Sequence, residues 1–161
     1  MGWLIEPVVG KRKNFASAVL TAYACTMEFI VWREDFSVGI HQINEEHKKL
    51  ISLINRLLEG MREDRQEQVL TPIFNELVDY TRGHFANEEA LLVKYGYPAV
   101  AEHAAEHRRI VSELLSLKED KLSSPSLISH ETMEFLRDWL GTHVLEEDKA
   151  YAAFLKAKGA E

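Results

Sequence analysis

Residues 99–117 of the chain read AVAEHAAEHRRIVSELLSL and carry the spacing of an amphipathic helix. Apolar and imidazole side chains recur there every three or four residues, which places them on one helical face. The residues on that face are His103, His107, Ile110, Leu114 and Leu117. Two histidines therefore share a stripe with aliphatic side chains, and we expect this stripe to face a core.

Three further segments show the same period. One runs from about Asn44 to Met61, one is centred on His84, and one runs from about Ser126 to Lys156. Their stripes consist of His47, Ile51, Ile54 and Leu58, then Ile73, Leu77, Tyr80, His84, Glu88 and Leu91, and finally Met133, Leu136, Leu140 and His143. Short connections rich in charge, Gly, Pro or Ser separate the four segments. Four helices so connected predict an all-α protein, an up-down-up-down four-helix bundle.

The segments before the first helix differ in character. Phe29 to Ile43 contains apolar side chains without helical spacing, so we interpret it as an extended N-terminal arm lying on the bundle. Residues 1–26 begin with basic positions and a mildly apolar stretch, but that stretch is short and interrupted for a secretion signal. We favour Met27 as the natural start. Residues 1–26 are then a leader of uncertain status, and residues 27–161 form the domain.

Composition narrows the function classes. A length of 161 residues suits one domain, and 46% hydrophobic with 28% charged residues is typical of a globular protein. The net charge of −7 argues against a nucleic-acid partner, whose phosphates require clustered Lys and Arg. Cys25 is the single cysteine, so disulfides and thiolate metal sites within one chain are excluded. No apolar run approaches a membrane span, and we expect a monomeric cytoplasmic protein.

Histidine placement is the most informative feature. Five of the seven histidines lie on the apolar stripes, distributed over all four predicted helices. A buried imidazole without a partner costs about 1 to 3 kcal/mol. One such residue is more often a satisfied core histidine, whereas five that converge favour a metal site. His41 and His130 fall outside the stripes and are predicted to lie on the surface.

Spacing pairs the candidate ligands. His84 with Glu88, and His103 with His107, are each separated by one turn, so both members project from the same face. In the last helix, regular periodicity favours Glu147 as the partner of His143, because Asp148 lies about 140° away around an α-helix. Spacing alone thus leaves the carboxylate of the last helix open between these two. We interpret two acidic pairs, Glu119 with Asp120 and Glu45 with Glu46, as solvated faces.

From Trp32 onward the chain resembles a bacterial hemerythrin. The matching stretches are WREDFSVGIHQI at 32–43, EEHKKL at 45–50, HFANEE at 84–89, YPAVAEHAAEH at 97–107 and FLRDWLGTHVLEEDKAY at 135–151. They cover roughly residues 30–155 and include every motif of that family. In the family pattern the carboxylate five residues after the last histidine is a bridging ligand, which implies Asp148.

The resemblance implies a non-haem di-iron centre. His103, His107 and His143 would hold one iron, His47 and His84 the other, and Glu88 and Asp148 would bridge both together with an oxo or hydroxo group. Imidazole and carboxylate donors suit iron, zinc or copper, and seven ligands are too many for one ion. The function so implied is reversible dioxygen binding for storage, delivery or sensing, in a protein that is not an enzyme.

Two questions stay open at this point. A di-iron oxidase, peroxidase or nitric-oxide-handling enzyme would use the same ligands, and turnover of a co-substrate separates it from a carrier. Four apolar residues within about one turn of the ligands are predicted to line the oxygen pocket, with plain core packing as the equal alternative. These are Leu50, Phe85, Trp139 and Leu140. Tyr151 is placed to approach the site or to pack near the end of the bundle.

Overall fold

The structure is a computed structural model that describes residues 30–63, 65–119 and 130–160. Within those ranges all regular structure is helical, as the sequence predicts. The elements are a 3-10 turn at Glu34–Phe36, α1 at His41–Arg62, α2 at Glu67–Tyr95, α3 at Val100–Glu119, α4 at His130–Thr142, a π-helical turn at His143–Asp148, and α5 at Lys149–Ala157. The four-helix bundle is confirmed, with α4, the π turn and α5 together forming its fourth member. The predicted leader, residues 1–26, lies outside the described residues.

The predicted extended arm is shorter than expected and only partly extended. Its middle forms the 3-10 turn, and α1 already begins at His41, three positions before the predicted start at Asn44. The reason is that Ile40 and Ile43 are both buried and continue the stripe of His47 backwards at helical spacing. The prediction that residues up to Ile43 are extended was therefore wrong for the last part of the arm.

Two asparagines of α1 attach this arm to the bundle. Asn55 accepts a hydrogen bond from the Ile30 backbone N–H at 2.9 Å and donates one to the Ile30 carbonyl at 2.8 Å. Asn44 accepts from the Val38 N–H at 2.9 Å. Because one amide side chain satisfies both backbone groups of Ile30, the arm is held in one register along α1.

Asn55→Ala is expected to lower the free energy of unfolding by about 1 to 3 kcal/mol, the sum of two hydrogen bonds. Urea denaturation measures that loss, and faster hydrogen exchange near residue 30 would locate it. Asn75→Ala is the matched control, because Asn75 Oδ1 has no hydrogen-bond partner among the described residues. Equal losses in the two variants would contradict this role for Asn55.

The apolar core has two parts with a polar layer between them. The larger cluster includes Leu53 of α1, Phe74 of α2 and Leu114 of α3, all fully buried. The smaller cluster is centred on Tyr151 and Leu155 of α5. Along every helix the buried histidines and carboxylates fall between residues of these two clusters. The polar layer is consequently closed off from water at both ends of the bundle axis.

A tight turn returns the chain from α2 to α3. Gly96 ends α2 in the left-handed conformation with φ 69°, which a glycine adopts without steric cost. The Tyr97 N–H donates to the Leu92 carbonyl at 2.9 Å, and Pro98 follows and cannot continue the helix. The turn makes α2 and α3 antiparallel neighbours, so His84 and Glu88 lie opposite His103 and His107.

The fourth helix differs from the continuous α-helix that periodicity predicts. Its six residues His143–Asp148 form a π-helical turn, in which backbone hydrogen bonds span five residues instead of four. Positions five apart therefore come onto the same face within this turn. No helix among the described residues has both the length and the apolar character needed to cross a membrane.

Candidate metal centre

All seven predicted ligands lie in the polar layer and are buried. None of these seven residues has more than 8% of its surface exposed. The set comprises His47 from α1, His84 and Glu88 from α2, His103 and His107 from α3, and His143 and Asp148 from the π turn. Residues that are 101 positions apart in sequence, His47 and Asp148, thus come within 3.1 Å, measured from Nε2 to Oδ2.

The ligand atoms form two groups that share one carboxylate. Glu88, His103, His107 and His143 offer atoms that all lie within 4.8 Å of one another, and so do His47, His84 and Glu88. The Oε1 atom of Glu88 lies 2.7 Å from His103 Nε2, and its Oε2 atom lies 3.3 Å from His84 Nε2. One carboxylate therefore presents a different oxygen to each group, as a bridging ligand does.

Asp148 belongs to neither group as defined by that distance, but it faces histidines of both. Its Oδ2 atom faces His47, while its Oδ1 atom lies 3.3 Å from His143 Nε2 and 3.7 Å from His103 Nε2. Glu88 and Asp148 therefore approach the same space from opposite sides, one from α2 and one from the π turn.

The π turn places the two acidic candidates of the last helix differently. Asp148 is fully buried in the layer, whereas the Glu147 side chain is 35% exposed and lies outside it. Spacing in a regular α-helix favours Glu147, whereas the π turn shifts the residue five positions after His143, Asp148, onto the same face. Glu147 instead accepts a hydrogen bond from His143 Nδ1 at 2.8 Å.

Two more glutamates hold outer nitrogens of the histidines. His84 Nδ1 donates to Glu46 at 2.8 Å, and His107 Nδ1 donates to Glu89 at 2.9 Å. With the proton on Nδ1, the Nε2 lone pair points into the layer, which is the state that a metal requires. The interpretation of Glu46 as part of a solvated face was wrong, since its side chain is only 12% exposed.

Burial keeps two of the imidazoles neutral. The pKa of His47 is lowered to about 3. The main cause is removal from water, and the neighbouring His84 contributes to the same shift. Burial likewise lowers the pKa of His107 to about 2, although the charge of Glu88 acts in the opposite direction. Metal ions compete with protons for these nitrogens, so a histidine that is already neutral binds without releasing a proton.

The two inner carboxylates have opposite pKa shifts. Burial and the charge of Glu88 raise the pKa of Asp148 well above its usual range. Burial alone would raise the pKa of Glu88 too, but its hydrogen bond with His103 and the nearby imidazoles lower it. Two buried carboxylates that lie close to the same histidines repel each other when both are ionised. A cation between them would remove that repulsion.

Several inner atoms have no hydrogen-bond partner among the described residues. They are both ring nitrogens of His47, Nε2 of His84, Oε2 of Glu88 and both carboxylate oxygens of Asp148. Buried polar atoms without partners cost about 1 to 3 kcal/mol each, so folded proteins rarely retain them. A set of imidazole and carboxylate donors without thiolate suits iron and similar divalent ions. The chemistry of the layer therefore fits metal ions.

The four residues predicted to line an oxygen pocket are all buried in the larger apolar cluster. Phe85 stacks on the His107 ring with centroids 3.7 Å apart and planes inclined by 4°. Trp139 lies 6.4 Å from the His143 ring. Leu50 and Leu140 are each 1% exposed and belong to the same cluster. These side chains separate the polar layer from one end of the bundle.

Tyr151 approaches the layer from the other end. It is fully buried, and its ring centroid lies 5.5 Å from that of His103. Burial and the charge of Asp148 raise its pKa well above the usual value, so the phenol keeps its proton. Of the two histidines predicted on the surface, His41 is exposed, and the side chain of His130 lies outside the described residues.

Comparison with known proteins gives consistent results. The family model of the hemerythrin HHE cation binding domain matches residues 38–155. The chain is 32% identical over 131 residues to a bacteriohemerythrin of Stenotrophomonas maltophilia, covering 81% of this chain and 84% of that protein. A bacteriohemerythrin of Clostridium acetobutylicum is 31% identical over 127 residues, which cover 75% of this chain and 97% of that protein. A crystal structure of wild-type hemerythrin superimposes with a TM-score of 0.73 at 26% identity, over 80% of this chain and 98% of that one.

Proposed function

The chain belongs to the hemerythrin family, and on that premise we propose that it binds dioxygen reversibly at two non-haem iron ions held by the seven buried ligands. The observation that carries the proposal is the shared carboxylate. Glu88 belongs to both groups of ligand atoms, which is the arrangement expected for two adjacent ions and not for one. Oxygen storage, delivery or sensing would each use this site.

The two groups are unequal, which supports binding of a small molecule. His103, His107 and His143 would hold one ion and His47 with His84 the other, with Glu88, Asp148 and an oxo or hydroxo group between them. The ion on the side of His47 would then have one protein ligand fewer and a position for an exogenous ligand. A pair of ferrous ions supplies the electrons that dioxygen binding requires.

The protein supplies orientation and exclusion of water. Glu46, Glu89 and Glu147 hold the outer nitrogens of three imidazoles and so keep their inner nitrogens aimed at the layer. Phe85 and Trp139 cover the layer on the side of the larger cluster. A dry site protects a reversible adduct from hydrolysis. A monomeric state and a cytoplasmic location stay predictions.

Iron analysis combined with visible spectroscopy tests the proposal. We expect about two irons per chain and an absorption band that is absent in the reduced anaerobic protein, appears in air, and disappears again under argon. A band that never reverses, or oxygen consumption in excess of the iron pairs, would favour the oxidase or peroxidase alternative. His107→Ala should abolish the reversible band, and His41→Ala is the control because His41 is an exposed histidine outside the layer.

A further inference from the structure

A cavity lies on the outer side of the polar layer, between α2 and α3. Its volume is about 270 Å³. Arg82 and Phe85 of α2 and Arg108 and Val111 of α3 contribute to its walls, and His107 and Glu89 also reach it. It is separated from the inner ligand atoms by the stacked rings of Phe85 and His107. The cavity is therefore distinct from the space between the inner ligand atoms.

Two of the charged side chains at this cavity are arginines. Arg82 and Arg108 are exposed, and their side chains form no ion pair or hydrogen bond with another residue that the structure describes. By contrast Arg109, which follows Arg108 in the sequence, forms ion pairs with Glu106 and Glu113. The carboxylate in the cavity, Glu89, already accepts the hydrogen bond of His107. In a chain of net charge −7, two guanidinium groups and one carboxylate, a formal charge of +1, thus border one cavity.

The rest of the lining is apolar. Phe85 is 3% exposed and presents its ring at the base of the cavity, with Ala86 and Val111 beside it. Small-molecule sites combine such an apolar lining with a few polar groups that fix orientation, and usually measure about 300 to 1,000 Å³. At about 270 Å³ this cavity lies just below that range, so it suits a small ligand such as one substituted ring.

We propose that this cavity binds a small organic anion, a monocarboxylate with a flat apolar body. The carboxylate accepts hydrogen bonds from Arg82 and Arg108, whose planar guanidinium groups match its geometry. The apolar body lies against Phe85, Ala86 and Val111. This anion site lies beside the proposed oxygen site and shares Phe85 and His107 with it, but it does not depend on that function.

Calorimetric titration with three ligands of similar shape tests the proposal. Benzoate, benzamide and benzylammonium carry charges of −1, 0 and +1 on the same ring. On the iron-loaded protein we expect benzoate to bind roughly tenfold or more tightly than benzamide, because hydrogen bonds to charged groups are the stronger ones. Benzylammonium should not bind. Equal binding of benzoate and benzamide would overturn the proposal.

Variants locate the binding. R82Q/R108Q should weaken benzoate binding to the level of benzamide, whereas the control R56Q/R137Q, with the same change in net charge, should leave it unchanged. A86F keeps both arginines and fills the cavity, and it should abolish binding. Benzoate that still binds A86F would be held elsewhere, on the iron for example, and the proposal would be wrong. No dioxygen is needed, so failure of the proposed oxygen binding would leave these results unaffected.

Discussion

Asp148→Ala is expected to leave a protein that retains fewer than two iron ions per chain. Asp148 is fully buried and presents one oxygen to His47 and the other to His143, so its loss removes a donor from both ions at once. Glu88 would remain as the single inner carboxylate. Iron content after desalting, together with the loss of the oxygen-dependent absorption band, measures the effect.

Glu147→Ala is the matched comparison for this substitution. Glu147 touches only the outer nitrogen of His143, so we expect two ions to remain with an affinity lowered by about 10- to 100-fold. Asp148→Asn preserves side-chain volume, and an unchanged far-UV spectrum in that variant excludes unfolding as the cause of iron loss. A protein that loses iron on changing Glu147 but keeps it on changing Asp148 would refute the assignment of the bridging carboxylate.

Removal of both iron ions is expected to lower the free energy of unfolding by at least about 3 kcal/mol, the linkage value for a ligand present at roughly 100 times its Kd. The structural reason is that several inner atoms have no hydrogen-bond partner among the described residues: both ring nitrogens of His47, Nε2 of His84, Oε2 of Glu88 and both carboxylate oxygens of Asp148. Without cations the folded state bears that cost, and burial and the charge of Glu88 disfavour the ionised form of Asp148.

Urea denaturation with and without a chelator measures this difference at a fixed protein concentration. The helical far-UV signal should persist at low urea, because the buried side chains of the larger apolar cluster pack against one another. His107→Ala serves as a control in which the chelator should have a smaller effect. An unchanged midpoint, with both ions shown to be removed, would contradict a structural contribution of the metal.

The sequence allowed the four helices and the buried histidines to be predicted. Periodicity works for α1, α2 and α3 because each has a regular 3.6-residue repeat with one face in the core. The same reasoning places His84 with Glu88, and His103 with His107, on shared faces. The number of imidazoles on apolar stripes then indicates a metal site, since a bundle interior offers few other partners for them.

What the tertiary structure decided is which side chains meet across helices. The hydrogen bond from His84 to Glu46 joins residues 38 apart, and the one from His107 to Glu89 joins residues 18 apart, so no local pattern in the sequence reveals them. The burial of Asp148 in the polar layer, with Glu147 outside it, depends on the π turn, whose five-residue repeat departs from regular α-helical spacing. Local periodicity determines which face is buried, whereas the packing of helices against one another determines what each buried atom contacts.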